Sequence, residues 1–208
     1  MKNPETDTLT LSPTQAGTHW FHALRGALVL MVLCGGLYPL LTVSVGAILF
    51  PHQSTGSLIE RDSKVVGSAL VGQPFSAPGY FQGRPSAVGY DPFGVGGSNW
   101  APSNPDLRER AAAGSKAIAD ANGVAPTAIP VDLVAASGSG IDPHISPEAA
   151  EIQIDRVAAA RELPRTTVAT LVAQHVEQPV LGVLGQPRVN VLRLNLALDE
   201  LSAQPPAK

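Results

Sequence analysis

The residues that could do chemistry in this sequence are few, and most stand in the wrong company. A phosphate-binding loop ends in Gly-Lys-Ser/Thr so that the lysine can reach the phosphates. The four lysines, Lys2, Lys64, Lys116 and Lys208, all lack that setting, and none of the nine aspartates is followed by lysine as a phosphorylated pump aspartate would be. Gly138-Ser139-Gly140 gives a G-x-G, but Pro143 follows and no third glycine opens a helix after a strand, so no dinucleotide site is expected. Ser137, Ser139, Asp142 and His144 crowd together and suit nucleophilic catalysis by type. Triad members, however, come from separate elements and are recognised by geometry; a polar turn leading to a helix cap at Ser146 fits better. Asp142 and His144 leave a metal two ligands short, and the single cysteine, Cys34, excludes an internal disulfide and a cysteine-based zinc site. No catalytic residue and no metal ligand is assigned. Arg84, in the string YFQGRPSA at 80–87, puts a guanidinium at a rigid turn. It is either an anchor or anion contact, or a structural arginine satisfied by nearby carbonyls.

The elements that must position these residues follow from caps and breakers. Gly and Pro number 20 and 19 in 208 residues, which calls for short elements and many turns. Residues 64–71 and 78–90 read as strand-and-turn material, and 91–105 as loop. A helix starts at Asn104-Pro105, a good cap followed by proline at the first helical position, and runs to Asn122 with Gly123 as its stop. A short helix covers 130–136. Ser146-Pro147 opens the next, which Pro164 breaks, and another spans 165–177. Alternation in VNVLRLN predicts a strand over 189–195, followed by a short helix over 197–203. The class is α+β, with more helix than strand.

Charge decides where this domain lives. Residues 26–50 are 25 consecutive positions without Asp, Glu, Lys, Arg or His. As a helix they would span about 37 Å, enough to cross a hydrocarbon core of about 30 Å with some tilt. A cleaved signal peptide has an apolar region of only about 7–15 residues, and here a polar stretch of 22 residues comes first. The expectation is a disordered tail over 1–22, a retained transmembrane helix over 23–50 and a soluble domain over 51–208. With 14 basic against 17 acidic residues, no basic surplus exists to displace nucleic-acid counterions, so the bilayer is expected as a partner and nucleic acid is not. Lys2 and Arg25 on one side tie with Arg61 and Lys64 on the other, but Arg25 abuts the span. That favours a cytoplasmic N-terminus and an extracytoplasmic domain. Gly35, Pro39, Thr42 and Gly46 recur at spacings of 4, 3 and 4, a small-residue stripe suited to close packing against a partner helix.

The ordered strings carry a resemblance. YPLLT at 38–42, GSLI at 56–59, GSALVGQPF at 67–75 and YFQGRPSA at 80–87 come first; GGSN at 96–99, SNP at 103–105 and IPVDLV at 129–134 follow. ASGSGIDPHISPEAA at 136–150 and LGQPRVNVLRLNLALDEL at 184–201 complete the series. This resembles the C subunits of Kdp potassium-transporting ATPases over residues 23–202. The resemblance implies a single-pass subunit of a bacterial inner-membrane complex that imports potassium with ATP. Its partners would be a channel-like potassium-binding subunit and a P-type ATPase subunit. It implies no catalysis and no cofactor of its own, ATP being met only through the complex. The implied roles are assembly and a catalytic chaperone effect that raises the pump's affinity for ATP. The family's ATP proposal rests on a glutamine that here matches Gln186 in LGQP, although a glutamine between Gly185 and Pro187 is equally a natural turn residue. From a different class, an independent membrane-anchored extracytoplasmic domain that binds or hydrolyses a ligand would share the anchor but have no need of the small-residue stripe.

Overall fold

The computed structural model describes residues 13–203, which fall into two compact units, one ending at Thr55 and one beginning at Gly56. In the first, α1 (Pro13–Val32) passes through a π-helical turn (Leu33–Leu37) into α2 (Tyr38–Leu49), and the four-residue α3 (Pro51–Ser54) closes it. Proline has no N–H to give the carbonyl four residues back, and its ring crowds that turn. The chain widens immediately before Pro39, with Tyr38 N donating to Leu33 O five residues back. The helix is apolar all round and long enough to cross a membrane over His19–Leu49, and no part of its most apolar stretch is buried within the described protein. The expected tail needs correcting: residues 13–22 are helical, and the aromatic pair Trp20-Phe21 extends the apolar pattern outward. Residues 1–12 of that tail lie outside the described residues.

The second unit starts with a hairpin of β1 (Leu58–Arg61) and β2 (Lys64–Ser68), turned by Asp62 and Ser63, both in the left-handed region. Such a two-residue turn matches the twist of paired strands. Then come α4 (Pro105–Asn122), a 3₁₀ turn (Pro126–Ala128) and the short α5 (Val131–Val134). Strand β3 (His144–Ile145) leads into α6 (Pro147–Glu151), α7 (Ile154–Arg161) and α8 (Arg165–Gln174). Strands β4 (Val176–Glu177) and β5 (Arg188–Asn190) precede α9 (Val191–Ala203). The sheet order is β3-β5-β4, antiparallel throughout, with Ile145 and Val176 both opposite Val189. Phe81, Ile145, Ile154, Val157, Val168, Val189, Leu194 and Leu198 fill one core between this sheet and the helices.

Several caps stand where the residue types put them. Asn104 accepts from Asp106 N at 2.8 Å, Gly123 ends α4 at φ +65°, and Ser146 Oγ accepts from Ala149 N at 3.0 Å. Other expectations fail. The strand over 189–195 stops at Asn190, whose side-chain oxygen accepts from Arg193 N at 3.1 Å and so caps α9. Val191, Leu194, Leu198 and Leu201 then fall on one helical face, a period that the short alternation conceals. The helix over 165–177 ends at Gln174, and Val176 and Glu177 pair with β5 instead.

Residues 78–90 pair with no strand. At Phe81 and Gln82 the backbone is satisfied by two buried amide side chains acting in place of a neighbouring strand. Asn195 accepts from Phe81 N at 2.8 Å and donates to Phe81 O at 2.9 Å. Gln153 accepts from Gln82 N at 2.8 Å and donates to Gln82 O at 3.1 Å. A third amide, Asn190, donates to Ala69 O at 2.8 Å. Buried backbone groups must find partners, and long-range glutamine and asparagine supply them here.

Candidate functional site

The crowded polar residues form a turn held by its own hydroxyls. Ser137 Oγ accepts from Gly140 N at 3.1 Å and Ser139 Oγ from Ile141 N at 3.2 Å. The two hydroxyls lie 3.1 Å apart, and neither is bonded to His144. Gly140 is left-handed at φ +72°, and a Cβ there would meet Val88 and Gly96 O, so the turn admits only glycine. Asp142 Oδ1 accepts from His144 N at 3.0 Å and lies 3.5 Å from His144 Nδ1, while its other oxygen takes Arg84 Nη1 at 3.0 Å. Burial opposes ionisation of Asp142, but hydrogen bonds from the His144 ring and backbone and from Arg84, with the guanidinium's charge, outweigh it and hold the carboxyl below its usual range. Burial and the Asp142 charge push the Tyr90 phenol upward, and its hydroxyl donates to Arg84 O.

The contacts of Arg84 are those of a structural arginine at two of its three nitrogens. Its charge is met by Asp142, and Nη2 reaches Ala135 O at 3.4 Å. Its Nε is buried without a hydrogen-bond partner. A 410 Å³ cleft lies beside it, with Phe75, Gln82, Tyr90, Ile118 and Gln153 in its walls. The Gln153 side-chain amide there is already engaged with the backbone of Gln82, and the cleft lining holds no carboxylate or imidazole to act as a general base. Among the described residues, no group of three or more His, Cys, Asp and Glu side chains could hold a metal ion.

Gln186 is exposed on the return arm of the hairpin turn joining β4 and β5, between Gly185 at φ +95° and Pro187. On the apolar helix, Gly35 sits inside the widened π turn while Pro39, Thr42 and Gly46 follow in regular α2. A Cβ added at Gly35 or Gly46 would meet nothing within 4 Å. Thr42 Oγ1 turns inward, bonding Tyr38 O and Pro39 O at 3.0 Å each. Sequence reasoning missed Gln153 and Asn195, whose only local signal is polarity at positions that a helical period assigns to the core. It also missed the tip of the β4–β5 turn, where Val180, Leu181, Val183 and Leu184 face solvent. The signal for that was an uncharged run from 178 to 187.

Fold and site together define a class: a small α+β domain joined to one apolar helix of membrane-spanning length, with its polar clusters spent on holding turns. The family model for the K+-transporting ATPase c chain matches residues 20–200, and the chain belongs to that family. It is 53% identical to the potassium-transporting ATPase KdpC subunit of Shewanella putrefaciens, covering 88% of this chain and 92% of that one. With the KdpC subunit of Gemmatimonas aurantiaca the identity is 55%, over 88% and 96%. With that of Salmonella schwarzengrund it is 52%, over 86% and 94%.

Proposed function

We propose that this chain is a non-catalytic subunit of an ATP-driven potassium uptake complex in the inner membrane, working through assembly with a P-type ATPase subunit and a channel-like potassium-binding subunit. The observation that carries the reading is the family match across residues 20–200, at 52–55% identity to named KdpC subunits. The geometry of the polar turn supports it, since both serine hydroxyls and the Asp142 carboxylate are already engaged. The stripe Gly35, Pro39, Thr42 and Gly46 packs against a partner helix, and the domain from Gly56 onward lies outside the cytoplasm. Any rise in the pump's affinity for ATP is then exerted through the assembled complex. Gln186 acts as a turn residue there and not as a nucleotide contact.

Affinity purification of the full chain in mild detergent tests the subunit reading: two large membrane subunits should accompany it. Gly35→Leu and Gly46→Leu should each lower their recovery, whereas Leu30→Ile should not. A reporter fused after Lys208 tests orientation. Activity of an export-dependent phosphatase is expected; fluorescence from a cytoplasm-dependent reporter would reverse the orientation and return Gln186 to the reach of ATP.

A further inference from the structure

Arg110, on α4, stands in the domain without a counter-charge. Six of the domain's other arginines pair with carboxylates. Arg156 is spent on Asn122, Gln153 and two carbonyls, and Arg108 lies in solvent. Arg110 is half-buried and makes no hydrogen bond or ion pair among the described residues. Its Nε is buried with no acceptor, a state that asks for an explanation. Arg84 Nε shares it, but the charge of Arg84 is met by Asp142. The guanidinium of Arg110 meets only the face of Trp100, 4.7 Å from the ring centre. That contact attracts the charge and leaves the N–H donors around the guanidinium rim unspent.

Arg110 and Trp100 share a cleft of about 400 Å³, enclosed by the loop 97–100, α4, α5 and the turn 135–138. Trp100, Leu107, Val131 and Val134 give it apolar walls, and no carboxylate lines it. Asp132, the only acid on α5, is committed to Ser146, accepting from its N–H at 2.7 Å and its hydroxyl at 3.1 Å. Ser98 and Asn99 also line the cleft, and their side chains make no hydrogen bond among the described residues. The loop that carries them is fixed in advance. Gly96 N donates to Ser139 O at 2.9 Å, and a Cβ on Gly97 would stand 3.0 Å from Gly138 O. A preformed, mostly apolar cleft of this size with a few convergent polar groups suits a small molecule.

The charge balance narrows the ligand. One guanidinium with no acid beside it matches one negative charge, and its planar fork of donors takes a carboxylate bidentately. A phosphate monoester would bring close to two charges and leave one unmatched. We propose that this cleft binds a small organic carboxylate with an aromatic or branched aliphatic body. The carboxylate lies on the rim of Arg110, within reach of Ser98 and Asn99, and the body rests against Trp100, Leu107 and Val134. The site belongs to this chain alone and does not depend on the subunit reading.

Benzoate is the probe, read through the fluorescence of Trp100 in the full chain held in an uncharged detergent. Trp20→Phe removes the other indole. Benzoate should change the signal saturably, with half-saturation at about 1 mM or below. Benzamide, which has the same shape without the charge, and inorganic phosphate should each need about tenfold more. Arg110→Gln should weaken benzoate about tenfold while the domain melts as before. Arg110→Lys, which keeps the charge and loses the fork, should fall between the two and decides the matter if the glutamine variant does not fold. No saturable response to benzoate, an equal midpoint for benzamide, or a wild-type midpoint in either folded Arg110 variant would overturn the proposal. A response to phosphatidylglycerol in the micelle but none to benzoate would also overturn it, making the cleft a site for a lipid phosphate.

Discussion

Two turns of the same domain, the polar turn at 137–144 and the apolar tip at 180–184, handle their side chains in opposite ways. The first gathers serines, an aspartate, a histidine and an arginine, and satisfies them internally: Arg84 on Asp142, Ser137 and Ser139 on backbone N–H groups. The second gathers valines and leucines and satisfies none of them, leaving Leu181 at 87% exposure. Residue types that suggest chemistry therefore serve the fold, while residue types that suggest a core are offered outward. The informative surface is then the apolar and exposed one, and the polar constellation is scaffolding.

The comparison breaks most visibly at the buried amides that hold the segment beneath the polar turn. Asn195→Leu removes the partner of both Phe81 N and Phe81 O in a fully buried place. Each orphaned group costs about 1–3 kcal/mol, so a loss of roughly 2–6 kcal/mol is expected from chemical denaturation of the full chain. A loss below about 1 kcal/mol would show that water replaces the amide, and that the segment is not pinned as described.

Acid should come next in size. The Asp142 carboxyl is held below its usual range in the folded protein, so the unfolded chain takes up the proton first as pH falls. Its contribution is fully present above the ordinary carboxylate value of about 4 and is lost as pH falls below it, through the folded-state value. Stability measured from pH 6 to pH 2 should decline over that lower window, and Asp142→Asn should flatten this part of the curve while lowering the plateau, because Arg84 loses its counter-charge. An unchanged acid slope would place the titration elsewhere.

The apolar tip should respond least, and with the opposite sign. Leu181→Gly relieves a left-handed leucine worth of order 1 kcal/mol of strain. Thermal melting of the domain should be unchanged or slightly raised, whereas loss of stability would mean that Leu181 packs within the domain after all.

How much of this was legible depends on the range of the interaction. Asn104-Pro105 and Gly123 bracket α4, and Ser146-Pro147 opens α6, because a cap and its helix are neighbours in sequence. The polar turn was legible for the same reason, all its hydroxyl partners lying within three residues. Phe81 and Asn195 are 114 residues apart, and Gln82 and Gln153 are 71 apart, so no local pattern announces either pair. The break at Asn190 was hidden because VNVLRLN suits a strand by alternation, until a side-chain cap and the later Leu198 tip it into helix. The first helix reaches further outward than its charge-free stretch suggested, covering Pro13–Val32. Leu181 escaped notice because an uncharged run reads as core until the chain is seen to leave it outside.

The central claim is that the chain acts through its partners and performs no reaction itself. The direct measurement is ATP hydrolysis by the purified full chain alone, and by a complex lacking it before and after the chain is added back. No hydrolysis by the chain alone, with potassium-stimulated activity restored on addition and Gln186→Ala restoring it with an unchanged apparent KM for ATP, is the predicted result. ATP hydrolysis that stays with the isolated chain through further purification would contradict the claim.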